Sequence, residues 1–465
     1  MLCTKPNRIC ALAGTFLCAI TFVALGATRG SAQEPPTAVP AGGPPPSIGA
    51  IPFNGWLLYP TLDLFTQQSN NYFLNPQSKI SGWGFGESPS LTAEWSNGIH
   101  TTTLYGTFTH IDYPTQNEIN TNDGEATFTQ RYAPLRDLSF TFLADYSHHT
   151  IAPGLLSSTP TAITTPSTQV LPNGNTVLPN GQIVTPSGQV VGQTNPALAV
   201  GTVASVVNPY DQYTISAQVD KIFSDGAFSL NDTLRRTDFE QNPSESFSSN
   251  AVSGNTAFWL GPAIYAYVNG TYATNDPTNA IIPSSQVYRV AGGLGTRQLG
   301  LFRASAYYGH QGSDTDGSPW AGGAVYGAVL TYYPTPILTV SMQVDRTINV
   351  APNQATASNF ALTTPVPTPL QVSLSSSAAL TTSTLTTHYV ISQQLNVTGS
   401  LGYTHIQDIG SSAWDDAWLA DVTFRYDLWR DLALSLEYQY SSIISNVPFT
   451  PANRNLVTLG ALYKF

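Results

Sequence analysis

Histidine and aspartate are the residues of this chain whose types and spacing could support chemistry. Five histidines fall near one end of predicted strands, and acidic residues lie close to them in sequence. The histidines are His110, His148, His149, His310 and His405, and the acids are Asp112, Asp145 and Asp408. A histidine oriented by a carboxylate can activate a hydroxyl nucleophile, which is the arrangement of a hydrolase. No Gly-x-Ser-x-Gly motif accompanies these residues, so we favour polar residues at strand ends and predict no enzyme.

Other kinds of chemistry are poorly represented in the sequence. No Rossmann or P-loop fingerprint occurs, so no cofactor is expected. The stretch from Gly312 to Gly317 carries Asp314 and Asp316 and could offer oxygen ligands to Ca²⁺, but it lacks the rest of an EF-hand loop. We favour a solvated turn there and predict no metal site.

The first 32 residues resemble a secretory signal peptide. Lys5 and Arg8 precede an apolar run from Ile9 to Leu25, and Gly30-Ser31-Ala32 supplies small residues for cleavage. A membrane anchor is the alternative interpretation. Within this segment lie all three cysteines, Cys3, Cys10 and Cys18. The mature chain is therefore expected to be exported and to form no disulfide or thiolate metal site.

The composition indicates strands. The 465 residues include 23 Tyr, 20 Phe and 37 Gly, and only 10% of them are charged. The formal net charge of −11 makes the chain a poor nucleic-acid binder. Residues 33–54 are rich in Pro and Gly and are predicted to be a periplasmic linker. Residues 55–465 are predicted to form one β domain.

The connections between the predicted strands alternate between short and long. Short turns are predicted at Asn97-Gly98, Ala133-Pro134-Leu135, Ser224-Asp225-Gly226, Gly261-Pro262, Pro334-Thr335-Pro336 and Leu428-Trp429, and less clearly near Arg297-Gln298 and Gln393-Gln394. Long connections are predicted at 66–80, 112–122, 148–209, 238–251, 274–284, 310–320, 348–382, 407–415 and 442–453. Short periplasmic turns and long outer loops are typical of outer-membrane barrels. We predict an all-β, antiparallel, up-and-down transmembrane barrel of about 18 strands of roughly ten residues each.

The predicted strands have one apolar and one polar face. In the strand near 432, the residues Leu432, Leu434, Leu436, Tyr438 and Tyr440 alternate with Ser435, Glu437, Gln439 and Ser441. Alternation alone does not separate a lipid-facing from a soluble barrel, but the one-sided long connections favour lipid outside and a polar lumen inside. The stretch 226–237 is an exception, because Asp232 shares a face with leucines; we interpret it as a bulge or a wrong register.

Charged residues on the polar faces are predicted to line the lumen. The acids are Asp63, Glu94, Asp145, Asp220, Asp345, Asp421 and Glu437, and the bases are Arg131, Arg235, Arg289, Arg303, Arg425 and Lys464. They could form a constriction that screens solutes, or merely pair across the wall. The mixed signs favour pairing for most of them, and the slight acidic excess predicts a weak preference for cations.

The C-terminus ends inside the alternating pattern. Tyr463 and Phe465 share a face with Val457, Leu459 and Ala461. A barrel must pair its last strand with its first, so the end of the chain is held in place rather than frayed. The terminal aromatic also resembles the C-terminal signal by which the outer-membrane assembly machinery recognises its substrates.

The mature chain resembles the putative outer-membrane β-barrel porin family of Gram-negative bacteria. The similarity lies in the opening strand from Tyr59 to Leu64 with the following Asn-rich stretch 69–73, and in the hairpins 132–138 and 426–432. It covers about 55–465 and implies location and fold more than substrate. The family also implies outer-membrane lipid and lipopolysaccharide as surroundings, and an association with surface-polysaccharide systems as an alternative role. Porins are often trimers, but no residue here identifies an oligomer face.

The long connection 148–209 contains three tandem heptads. They run 171–177, 178–184 and 185–191, each with Pro, then Asn or Ser, then Gly, and ending in Val. The Pro-Asn-Gly part suits a tight turn and the end an extended segment. The connection could fold into the lumen as a constriction or cap, or extend outward as a flexible loop, which its low charge and Pro/Thr/Gly content favour.

These features together predict an outer-membrane barrel that acts as a passive, water-filled channel for small hydrophilic solutes. A structural or polysaccharide-export barrel is the alternative, and a barrel hydrolase is a weaker one.

The predicted orientation can be tested by labelling. A Gly181→Cys variant should react with a membrane-impermeant maleimide on intact cells, because the long connections are expected outside. A Gly98→Cys variant should react only after the envelope is opened. The opposite pattern would overturn the orientation.

Overall fold

The computed structural model describes residues 50–72, 79, 81–115, 120–151, 169–170, 176–177, 182–184, 190–193, 208–240, 243, 246–279, 284–296, 299–315, 321–349, 378–409, 412, 414–446 and 452–465. The predicted signal peptide and most of the predicted linker lie outside these residues, as does the turn predicted at Arg297-Gln298. Within the described part of the chain, no helix is long and apolar enough to span a membrane.

The described elements are strands. In chain order they are β1 (Ile51–Phe53), β2 (Trp56–Ser69), β3 (Gly82–Ser96), β4 (His100–Asp112), β5 (Thr121–Leu135), β6 (Leu138–Ile151), β7 (Gln169–Val170), β8 (Thr176–Val177), β9 (Gln182–Val184), β10 (Val190–Gln193), β11 (Asn208–Ile222), β12 (Gly226–Phe239), β13 (Phe247–Trp259), β14 (Ile264–Pro277), β15 (Ser285–Thr296), β16 (Phe302–Thr315), β17 (Ala321–Thr335), β18 (Leu338–Asn349), β19 (Ala378–Val390), β20 (Leu395–Asp408), β21 (Trp414–Asp427), β22 (Leu432–Ser445) and β23 (Ala452–Lys464).

The strands β2–β6 and β11–β23 form a closed antiparallel barrel of 18 strands. Each pairs with its sequence neighbour, β6 pairs with β11, and β23 pairs with β2 from Thr61–Lys464 to Ser69–Leu456. The prediction of an up-and-down barrel of about 18 strands is confirmed. We call the end of the barrel with the long connections its outer end.

A short extra strand completes the closing seam. β2 begins at Trp56, but its pairing with β23 begins only at Thr61, opposite Lys464. The first residues of β2, at the end of the barrel opposite the outer end, would therefore have no partner on this side. The chain turns at Asn54 and Gly55, whose φ angles of 48° and 86° suit a tight hairpin, and β1 pairs with Trp56–Leu58. The Phe465 amide donates to the Pro60 carbonyl at 3.2 Å between the two paired stretches. Residues 51–53, which the composition predicts to be linker, thus cover an edge that would otherwise be open.

The two faces of the barrel differ as the alternation predicted. Large apolar side chains are exposed on the outward face around the wall, including Leu64, Phe108, Ile215, Val290, Met342 and Leu436. On the inward face at the outer end, a buried apolar cluster lies across β19–β23, formed by Ala378, Ile406, Ala417, Ile443 and Ala452. The exposed outward belt is the surface that hydrocarbon can cover.

The strands are longer and the connections shorter than predicted. Barrel strands have 12 to 15 residues, which correspond to roughly 40 to 50 Å along the strand. An apolar band of about 25 Å needs less than this even with tilt, so the ladder continues beyond the membrane. For this reason Gly312–Thr315, predicted as part of a turn, belongs to β16.

Two of the predicted short turns are displaced. Ala133-Pro134-Leu135 was predicted as a turn, but β5 continues to Leu135 and the turn lies at 136–137. The register shifts between Tyr132 and Leu135, and likewise between Tyr332 and Thr335 beside Pro334. Proline has no N–H to donate to the ladder, so each marks an irregularity just before the turn.

Asp232 lies on the outward face. It pairs with Ala217 on β11 and Val252 on β13, and both registers are unbroken, so the predicted bulge or register error is wrong. Asp232 Oδ1 is buried and accepts no hydrogen bond from the described residues. A carboxyl group on the lipid face is costly, so Asp232 is a destabilising exception to the pattern.

The tandem heptads contain a small antiparallel sheet. β7, β8, β9 and β10 pair in sequence order, and β8 and β9 fall on the extended ends of the first two heptads. The extended part of the heptad was therefore predicted correctly. The placement predicted for the rest of 148–209 falls largely outside the described residues.

Inward aromatic rings lie opposite inward glycines on the next strand. The pairs are Phe65 with Gly86, Tyr265 with Gly295, Tyr267 with Gly293, and Tyr307 with Gly327. A Cβ atom on any of these glycines would overlap the facing ring. Each ring thus packs on the backbone of the facing glycine instead of projecting into the lumen. This contact also holds the two strands in one register.

Replacing such a glycine should destabilise the barrel. In Gly293→Ala the new Cβ would overlap the Tyr267 ring and the Ala306 carbonyl oxygen, whereas in Gly402→Ala the nearest atom is 3.6 Å away on Leu419. We expect Gly293→Ala to cost about 1–3 kcal/mol, as overpacking does, and to lower the temperature at which the folded band is lost on gels of unboiled samples. Equal stability of the two variants would show that the ring pairing does not constrain the wall.

Candidate functional site

The candidate site is the inward wall of the barrel. The strand register places the predicted lumen residues on the face opposite the exposed apolar belt: Asp63, Glu94, Arg131, Asp145, Asp220, Arg235, Arg289, Arg303, Asp345, Asp421, Arg425, Glu437 and Lys464. Their role in a channel remains a prediction.

Further charges on the same face were missed. They are Asp123, Glu125, Asp415, Asp427 and Arg454. All lie near strand ends. The predicted long connections covered or bordered some of these positions, and a predicted turn lay directly beside Asp427. Counting these residues, acids exceed bases on the inward face by more than the sequence predicted.

An acidic patch lies beside the closing seam, on β21, β22 and β2. The Glu437 carboxyl is within hydrogen-bonding distance of that of Asp421, which also accepts from Thr423 Oγ1 at 3.4 Å. Asp63 approaches from β2 across Gly460, whose missing side chain leaves Asp63 Oδ1 room. Asp63 Oδ1 and Asp421 Oδ2 are buried and accept no hydrogen bond from the described residues. We call Asp63, Asp421 and Glu437 the seam acids.

One base accompanies the seam acids. The Arg425 Nε donates to Asp427 Oδ1 at 3.2 Å, and the guanidinium also attracts Asp63. Arg425 therefore offsets part of the negative charge but does not bond to both Asp421 and Glu437. The patch stays net acidic.

A second charged group is locked into the wall. Tyr307 on β16 lies over Gly327 on β17, and its hydroxyl donates to Asp345 on β18. The Arg289 guanidinium lies 4.9 Å from the centre of the Tyr307 ring. Arg289 and Asp345 are only 7% and 8% exposed, so this group fixes neighbouring strands and contributes little to the charge felt by a solute.

At the outer end, two tyrosines lie over the edge of β3. Tyr72 and Tyr113 meet edge to face with ring centres 4.8 Å apart, and Gln67 Nε2 donates to the Tyr113 hydroxyl at 2.6 Å. Burial raises the pKa of Tyr72 to about 12 and also raises the pKa of Tyr113. Both phenols stay neutral at ordinary pH, and Tyr72 donates to the Gly82 carbonyl at 2.7 Å.

The histidines pair with other acids than those predicted. His148 Nδ1 lies 3.0 Å from Asp211, and His405 Nδ1 lies 2.7 Å from Asp416, whereas Asp145, Asp112 and Asp408 were the predicted neighbours. His110 contacts the Asn122 side chain at 2.7 Å. These partners are directly opposite on the adjacent strand, so cross-strand register rather than sequence distance decides them.

Comparisons with known proteins give no family. No protein-family model matches the chain, and no curated protein matches it. Among solved structures it is similar to the siderophore receptor PirA from Pseudomonas aeruginosa, with 9% identity, 88% of this chain and 80% of that chain covered, and a TM-score of 0.44. It is also similar to the FrpB iron transporter from Neisseria meningitidis (F3-3 variant), with 8% identity, coverages of 88% and 81%, and a TM-score of 0.44.

The location follows from the barrel itself. Its hydrogen-bonded ladder is closed, its outward face is an exposed apolar belt, and its inward face is polar and charged. A closed barrel is the only strand structure that satisfies its backbone within a bilayer. The protein is an outer-membrane β-barrel.

Proposed function

We propose that the protein is a passive, water-filled diffusion channel for small hydrophilic solutes, with a weak preference for cations. The observation that carries the proposal is the inward wall, on which the charged residues named above, acids and bases, are distributed over 12 of the 18 strands. Such side chains are stable only where water or an opposite charge is near. A hydrated lumen meets that need, and a hydrated lumen open at both ends conducts.

The acidic excess supports cation preference. The seam acids place three acidic groups beside the closing seam, and buried oxygens of Asp63 and Asp421 have no described donor. A cation passing the seam would be attracted there. The preference is weak because Arg425 lies beside the patch and a wide aqueous lumen keeps the dielectric high. At 0.1 M salt the Debye length of about 10 Å further screens charges across the lumen.

A structural or polysaccharide-export barrel is the second candidate. The buried apolar cluster of Ala378, Ile406, Ala417, Ile443 and Ala452 on the inward face favours it, since apolar residues at the mouth add nothing to an aqueous path. A barrel of this kind would be silent as a channel on its own.

The channel proposal predicts steady single-channel currents in planar bilayers and a reversal potential on the cation side in a salt gradient. The double variant Asp421→Asn, Glu437→Gln should shift that potential toward zero or toward anions, because it removes both of these acidic groups from the seam while keeping side-chain size. Its conductance should change little, since pore width is preserved.

The outward acid Glu87 supplies the matched control. It lies opposite Leu64 and His110 on the outward face, so Glu87→Gln should leave the reversal potential as in the wild type. Absence of current from correctly folded protein would reject the channel in favour of the second candidate. Strong anion preference would contradict the role assigned to the seam acids.

A further inference from the structure

Three strands meet at the outer end around a set of metal-binding side chains. His148 lies near the end of β6 and Asp211 near the start of β11, both on the outward face, and Glu240 follows β12. One ligand atom from each of the three lies within 4.8 Å of the others. Among the described residues this is the only such group of three.

The register explains why the three side chains converge. His148 and Asp211 are directly opposite in the β6–β11 pair, and the Glu240 amide donates to the Pro209 carbonyl at 3.0 Å, which continues β12 alongside β11. His148 Nδ1 lies 3.0 Å from Asp211 Oδ1 and 4.0 Å from Glu240 Oε1. The side chains are 28%, 26% and 52% exposed, so an ion can reach them from solvent.

These separations fit a small transition-metal ion. Zinc binds imidazole nitrogen and carboxylate oxygen at about 2.0–2.2 Å, so two ligand atoms of a tetrahedral site lie roughly 3.4 Å apart. The two distances from His148 Nδ1 lie on either side of that value, and a shift of under 1 Å in each side chain would match it. An imidazole ligand disfavours Ca²⁺ and Mg²⁺, which prefer oxygen.

We propose that His148, Asp211 and Glu240 form a binding site for a divalent transition-metal ion, with Zn²⁺ as the best fit and at least one coordination position left for water or another ligand. Because a carboxylate oxygen only accepts, His148 Nδ1 carries the hydrogen in its contact with Asp211. An ion bound at Nδ1 takes the place of that hydrogen, which in the neutral imidazole then sits on Nε2.

A neighbouring tyrosine orients the aspartate. The Tyr146 hydroxyl donates to Asp211 Oδ1 at 2.9 Å, and Tyr146 lies two residues before His148 on the same face. Such an outer hydrogen bond fixes the direction of a carboxylate ligand. The ion would join β6, β11 and β12 where the connection 152–207 leaves and re-enters the barrel.

The chain contains the same arrangement without the third acid. On β20 and β21, Tyr403 donates to Asp416 Oδ1 at 2.9 Å and His405 contacts the same oxygen at 2.7 Å. This second group has the Tyr-x-His and opposed Asp of the first, but among the described residues no third ligand joins it. In this second group the histidine and aspartate form only a polar contact between strands, so it provides a matched control.

The test is Zn²⁺ binding by the full chain, purified in detergent without a histidine tag and stripped of metal with a chelator. Competition against a chromophoric chelator should give one tight equivalent for the wild type. His148→Ala and Glu240→Gln should each weaken it at least ten-fold. His405→Ala and His149→Ala should leave it unchanged.

Two additional measurements separate loss of the metal site from loss of folding. Retention of the folded band on gels of unboiled samples shows that each variant is assembled, and Glu240→Gln changes only a half-exposed carboxylate. Co²⁺ substituted for Zn²⁺ should give the visible absorption of a four-coordinate nitrogen and oxygen site, lost in His148→Ala. No tight equivalent, equal binding by His148→Ala, or displacement of Zn²⁺ by an equal concentration of Ca²⁺ would overturn the proposal. The measurement does not depend on whether the channel conducts.

Discussion

The constraint on which this structure depends is that no backbone N–H or C=O group can remain unpaired in hydrocarbon. Each unsatisfied group costs several kcal/mol there, so every strand needs a neighbour on both sides along its whole length in the membrane. The pairing of β23 with β2 meets this need for the upper part of the seam. β1 and the Phe465 amide meet it below. Phe465 and the strand β1 thus together complete the backbone pairing along one edge of β2.

Closure also decides where the charges go. Side chains alternate between the two faces, so once lipid covers the largely apolar face, the largely polar alternate residues enter the lumen. The lumen therefore receives acids and bases in a mixture, and local contacts sort them into different roles. Arg289, Tyr307 and Asp345 brace the wall across four strands, β15 to β18, while the seam acids keep oxygens that no described donor satisfies. A solute would meet the second group more than the first.

Sequence reasoning captured what depends on period and connection length. The two-residue alternation identified the faces of strands such as β22, and the alternation of short and long connections identified the strand number. Strand ends were underestimated because hydrogen bonding continues above the membrane, where polar residues no longer mark a turn. Pro134 and Pro334 looked like turn residues but sit at bulges that precede the turns.

Features that depend on the register between strands could not be predicted from the sequence. The partners of His148 and His405 are opposite them across a strand pair, and a shift of two residues would have chosen others. The face of Asp232 could not be assigned, because a carboxyl group in lipid is costly and an outward position was therefore not expected. Nothing in the sequence identifies a group that would offset this cost. β1 was missed because a three-residue strand has too short a pattern to separate it from a linker.

The most direct test of the account is covalent capture of the seam. Gln68 and Val457 are directly opposite on β2 and β23, at a separation that a disulfide can bridge, and the only cysteines of the sequence lie at positions 3, 10 and 18. A Gln68→Cys, Val457→Cys double variant, oxidised after assembly in the membrane, should form the bond nearly completely, as seen by mass spectrometry of the linked peptides. A Gln68→Cys, Tyr463→Cys variant, displaced by six residues or roughly 20 Å along the strand, should not. Failure of the first pair to cross-link in folded protein, or equal cross-linking of both, would contradict a barrel closed in this register.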